Sequence, residues 1–183
     1  MKARWKVLIV ALAVIFTMLI ARPVLTFYTT KDTVTGVVTS GGIELKIHNV
    51  TSRGVTAPDE IAVIPGDKVD RKVFVENDCQ QPFYLRLKLV CTIGADDEPA
   101  DGLLQPNWDS ENWTLVDGYY YYNGILEPGG KTPAAFTQVE VVGSRVDQSH
   151  VGAASTFEII AQAVQSKNNT ADHPWEVSGW PAE

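Results

Sequence analysis

The segment Phe83-Tyr84-Leu85-Arg86-Leu87-Lys88-Leu89 puts four apolar residues on one face and Tyr84, Arg86 and Lys88 on the other. A period of two is the side-chain period of an extended chain, so the segment reads as a half-buried strand. Residues 43–47 (Ile-Glu-Leu-Lys-Ile) alternate in the same way, and residues 69–76 do so less cleanly. Residues 119–122, 136–142 and 157–164 are aromatic or β-branched enough to join them. Between these runs stand Gly41-Gly42, Pro65-Gly66-Asp67, Asn77-Asp78, Asp117-Gly118, Asn123-Gly124 and Pro128-Gly129-Gly130, which are turn signals. Short strands separated by such turns predict an all-β antiparallel sandwich or barrel. No sustained helical period follows residue 26, and there is no internal repeat.

The first residues follow a different rule. Lys2, Arg4 and Lys6 precede an apolar run from Val7 to Ile20, broken only by Thr17 and ended by Arg22-Pro23. A basic start followed by an apolar run of this length is the pattern of a secretory signal peptide. The run is shorter than the 18 or so apolar residues of a comfortable membrane span. Neither Leu19-Ile20-Ala21 nor Val24-Leu25-Thr26 is a good A-x-A cleavage site, so an uncleaved signal anchor remains the alternative. The expected organisation is a signal-peptide helix over residues 1–26, a β domain over 27–166 and a polar tail over 167–183. Contact with the membrane is then through the signal segment alone, before signal peptidase acts.

All 22 acidic residues lie beyond residue 26, whereas four of the 15 basic residues do not, so the exported part carries 11 − 22 = −11. Such a surface repels phosphate backbones and anionic membranes, which excludes nucleic acid as a partner. Two cysteines in an exported chain invite a disulfide. The strand over 83–90 would carry Cys91 about 20 Å or more from the turn holding Cys79. Bridged cysteines need Cα atoms within about 7 Å, so two unbridged thiols are expected within one chain.

Catalytic motifs are scarce. His48, His150 and His173 are far apart in sequence, and no H-E-x-x-H, G-x-S-x-G or glycine-rich phosphate loop occurs. Asp96, Asp97, Glu98 and Asp101 in an acidic stretch over 95–106 are the one candidate metal site. Carboxylates suit Ca²⁺, which takes six to eight oxygen ligands, but the spacing is not that of an EF-hand. A solvated loop accounts for the stretch more simply.

The order of several pieces resembles the TasA/camelysin family of exported Gram-positive biofilm-matrix proteins. These are Phe27-Tyr28-Thr29-Thr30-Lys31-Asp32, Ile64-Pro65-Gly66-Asp67, Val73-Phe74-Val75-Glu76-Asn77 and Tyr84-Leu85-Arg86-Leu87-Lys88. Asp117-Gly118-Tyr119-Tyr120-Tyr121-Tyr122, Leu126-Glu127-Pro128-Gly129 and Ala161-Gln162-Ala163-Val164-Gln165-Ser166 follow in the same order. The resemblance covers most of residues 20–170. It departs from the family at Val24-Leu25-Thr26, where an alanine is usual, and in its two cysteines and its Trp175 and Trp180 tail.

The resemblance implies a jelly-roll-like β-sandwich, secreted to the cell surface or matrix, that builds fibres by self-association or joins other matrix proteins. It also implies that the segment freed by signal cleavage acts as a donor strand for the next subunit. Phe27, Tyr28, Thr29, Val34, Val37 and Val38 are then the donor-strand candidates. The other reading of this segment is the first strand of its own domain. Two other functions follow from different features. Camelysin-like relatives are classed as metallopeptidases, but no cluster of His and acidic residues here has ligand spacing. The aromatic faces of Tyr119 to Tyr122, with Trp108 and Trp113, offer a surface that could stack on carbohydrate or protein. Half of those tyrosines should point inward in a strand.

Overall fold

The computed structural model describes residues 28–38, 43–57, 60–63, 65–93, 98–143, 154–169 and 171–181. The expected signal-peptide segment, Phe27, Asp96, Asp97 and His150 lie outside these residues. Among the described residues no helix is long and apolar enough to cross a membrane.

The protein is all-β. The strands are β1 (Tyr28–Val38), β2 (Leu45–Val50), β3 (Glu60–Val63), β4 (Lys68–Asn77), β5 (Phe83–Ile93) and β6 (Glu98–Pro99). They continue with β7 (Leu104–Trp108), β8 (Trp113–Val116), β9 (Tyr119–Tyr122), β10 (Phe136–Val141) and β11 (Ala154–Gln165). The larger sheet runs β3-β1-β11-β5-β9-β8, with β6 added to β5, and the smaller runs β2-β4-β10-β7. Both sheets are antiparallel except for one pair, in which β1 lies parallel to β11.

The core explains the period-two patterns. Phe83, Leu85 and Leu87 of β5 pack with Phe157, Ile159, Ala161 and Ala163 of β11 from one sheet. Val73 and Val75 of β4 and Phe136, Val139 and Val141 of β10 meet them from the other. Burying a Phe or Leu side chain contributes about 1.5–3 kcal/mol, so these strands cannot slip by one residue without losing the core. The weak alternation of β4 has a cause: Arg71 takes an inward position and is buried.

Turn chemistry fixes the β8–β9 hairpin. Asp117 and Gly118 both have positive φ, at 48° and 80°, and they join Val116 to its partner Tyr119. A two-residue loop with positive φ at both positions has the twist that antiparallel strands require, and Asp-Gly suits it.

Two expectations about the loops are corrected. The acidic stretch over 95–106 is not wholly solvated, because Leu103 and Leu104 enter the core and β7 begins at Leu104. The segment after Ser166 also contributes buried groups, among them Pro174 and Val177. It folds back through a 3-10 turn at Pro174–Glu176 and lies on the outer face of the larger sheet.

Candidate functional site

Three features concentrate chemistry or unusual pairing. The first is the position of the N-terminal strand. Ten consecutive residues, Thr29 to Val38, run in register with Ala154 to Ala163 of β11. On its other side Tyr28 to Lys31 of β1 pair with Glu60 to Val63 of β3. The candidates Tyr28, Thr29, Val34, Val37 and Val38 therefore all lie on one strand, and all but Tyr28 are in register with β11.

The second feature is a buried arginine on the outer face of the larger sheet. Arg86 is only 6% exposed although its strand position faces away from the core. Its Nε donates to Gln162 Oε1 at 2.7 Å, Nη1 to the Tyr121 hydroxyl at 3.0 Å and Nη2 to the Pro181 carbonyl at 3.0 Å. Its guanidinium carbon stands 3.7 Å from the Tyr119 ring centroid and 4.7 Å from that of Trp180. Trp175 and Trp180 both meet Tyr121 edge-on, and the Trp180 indole donates to the Pro174 carbonyl. Asn169 closes the loop by donating to the Ser178 carbonyl at 2.7 Å.

This face changes the reading of the tyrosine run. Tyr119 and Tyr121 are the buried pair, but on the outer face: the C-terminal tryptophans meet Tyr121, and the Arg86 guanidinium lies over Tyr119. Tyr120 and Tyr122 are half-buried against the core between the sheets. Neither pair is a bare aromatic platform. Trp113 is 2% exposed and packs inward, so it is not available for stacking on a ligand.

The third feature is a cleft of about 630 Å³ at one side of the core, opening between β7 and the β8–β9 hairpin. Leu89, Cys91 and Phe157 line it together with the stacked rings of Trp108 and Tyr120, whose centroids are 3.4 Å apart. Asp101 and Gln105 supply polar groups at its edge, and Leu115, 56% exposed, completes the lining.

Of the four candidate metal ligands, the structure describes Glu98 and Asp101. Glu98 lies on β6 and is exposed, while Asp101 is exposed in the turn before β7. Among the described residues no three His, Cys, Asp or Glu side chains are placed to hold a metal ion. His48 instead hydrogen-bonds Glu76 at 2.7 Å and stacks on Phe74, and His173 stacks on Trp175.

Cys79 and Cys91 are both free thiols. Cys79 donates to Asn77 Oδ1 and the Gln81 carbonyl. Burial pushes the Cys91 thiol up to about 11, and the nearby Asp101 carboxylate adds to the shift. A thiol held protonated in this way is a poor nucleophile at neutral pH.

The strand patterns and the turn pairs were visible in sequence, but the arginine site and the cleft were not. The signal for the first was a pair of aromatic residues in a stretch expected to be solvated, Trp175 and Trp180. Searches against protein families, curated proteins and solved structures found no match to this chain.

Proposed function

We propose that this chain is an exported structural protein that forms or joins extracellular fibres by exchanging its N-terminal strand between copies. In this reading the two sheets are a jelly-roll-like sandwich, residues 1–26 are removed on export, and the freed segment beginning near Phe27 is the donor. The observation that carries the reading is the pairing of β1, a parallel addition along ten residues of β11 in an otherwise antiparallel sheet. Main-chain hydrogen bonds of this kind are independent of which copy supplies the strand.

The connection favours exchange. Residues 39–44, Thr-Ser-Gly-Gly-Ile-Glu, join β1 to β2, and β2 belongs to the other sheet. Glycine pairs tolerate many backbone conformations, so one linker can serve both a folded-back and a donated strand. Donation from each copy to the next is a heterologous contact, which yields open filaments when its rotation does not close. The resemblance to the TasA/camelysin family and the strongly acidic mature surface accord with a secreted matrix protein whose assembly depends on salt.

The test is electron microscopy of the secreted form, its N-terminus defined by mass spectrometry, beside a variant lacking residues 27–38. Filaments from the first and none from the second are expected. Filaments of equal length from both would remove strand donation as the mechanism.

A further inference from the structure

We propose that the cleft between β7 and the β8–β9 hairpin is a binding site for a small organic ammonium ion carrying an apolar body. Its volume of about 630 Å³ falls within the range of small-molecule sites. The lining has two kinds of surface. Leu89 and Phe157 offer an apolar floor, which rewards a ligand with hydrocarbon to bury. Trp108 and Tyr120 add aromatic walls, and Asp101 places a carboxylate at the edge.

Both polar elements select the same charge. Aromatic rings carry negative faces that attract cations, most strongly alkylammonium groups removed from water. The Asp101 carboxylate attracts the same group and repels an anion. An uncharged hydrocarbon would fill the floor yet cover Asp101 without a partner, which costs desolvation. An alkylammonium head at the Asp101 edge with its body over Phe157 meets every part of the lining. Arg86 does not oppose this, because its guanidinium is engaged on the opposite face of the same sheet by Gln162, Tyr121 and Pro181.

The test uses the full secreted chain and two probes with one aromatic body, benzyltrimethylammonium and benzylsulfonate, titrated by heteronuclear NMR. Saturable binding of the cation is expected, with shifts at the Trp108 indole and the Gly102 and Gly118 amides. The sulfonate should bind at least about tenfold more weakly. Asp101→Asn should weaken the cation about fivefold, and Gln105→Trp, on an exposed position of the edge strand, should block the cleft. General attraction to an acidic surface would not follow one carboxylate, so an unchanged affinity in Asp101→Asn overturns the proposal. Equal affinity for the two ions, or shifts confined to Trp175 and Trp180, would overturn it as well. Should Asp101→Asn fold poorly, the ion pair of probes and Gln105→Trp still decide.

Discussion

Asn77 does more than end a strand. Its side chain is 1% exposed and fully engaged: Nδ2 donates to the Gln81 and Leu126 carbonyls, and Oδ1 accepts from the Cys79 amide and thiol. Asn77→Ala removes these four bonds; the Leu126 carbonyl keeps the Phe83 amide and the Gln81 carbonyl keeps the Cys79 thiol, so the half-buried Cys79 amide is the group that loses its partner, and such a loss costs about 1–3 kcal/mol. The expected loss is about 2 kcal/mol by urea denaturation, and Asn77→Asp should be worse because a carboxylate cannot donate to either carbonyl. A loss below about 1 kcal/mol would mean that water reaches these groups. Glu76, its neighbour, gives a pH signature. The hydrogen bond from His48 holds its carboxyl below the ordinary 4.5, and the bond from Lys131 adds to this. A depressed carboxylate stabilises the fold above its ordinary pKa and loses that contribution as pH falls through the folded value. The gap in melting temperature between the native chain and Glu76→Gln should therefore narrow from about pH 5 to about pH 3. A constant gap over that range would show that Glu76 acts by packing and not by charge.

At the scale of elements, Arg86 ties the C-terminal segment to the larger sheet beside the contacts of Trp175 and Trp180 with Tyr121. Arg86→Ala removes three hydrogen bonds and the cation beneath Trp180, and leaves the Pro181 carbonyl without its donor. The expected destabilisation is about 2–4 kcal/mol, accompanied by a red shift of tryptophan emission as Trp175 and Trp180 meet water. Arg86→Lys keeps the charge but cannot make the same fork of bonds, and it should restore only part of the loss. Unchanged emission in Arg86→Ala would show that Val177 and the tryptophans hold the segment without it. This element also marks where reading the sequence stops. Alternation in β5 placed Tyr84 and Arg86 correctly on the outer face, yet a local pattern cannot tell a solvated face from one covered by a segment 90 residues later. The same limit applies to β7, whose Pro106 and short apolar content give no strand signal, although its backbone completes the smaller sheet as an edge. The hairpin at Asp117-Gly118 was legible because its turn is decided by two adjacent residues. The cleft was not, because Leu89, Asp101, Trp108 and Phe157 converge only through pairings between distant strands.

For the whole molecule, the decisive question is whether β1 fills the groove beside β11 in its own chain or in the next. The main-chain register is the same in both arrangements, so an experiment must mark the chain that supplies the strand. Thr33 of β1 is the register partner of Glu158 of β11, and Glu158 is half-exposed. Directly paired strand residues lie within the Cα separation that a disulfide spans, so Thr33→Cys with Glu158→Cys should cross-link under mild oxidation. Cys79→Ser removes the more accessible native thiol, while Cys91 is buried and held protonated. Residues 27–183 carry a formal charge of −11, since none of the 22 acidic and four of the 15 basic residues precede residue 27. Like-charged copies repel over about 30 Å at 0.01 M salt but over only about 8 Å at 0.15 M. At low salt the cross-linked protein should therefore run as a monomer on a non-reducing gel. At physiological salt a ladder of covalent multimers should appear and grow with protein concentration, because each copy then receives its strand from a neighbour. Monomer at every salt and concentration would place β1 permanently in its own sheet and leave the chain a self-contained domain.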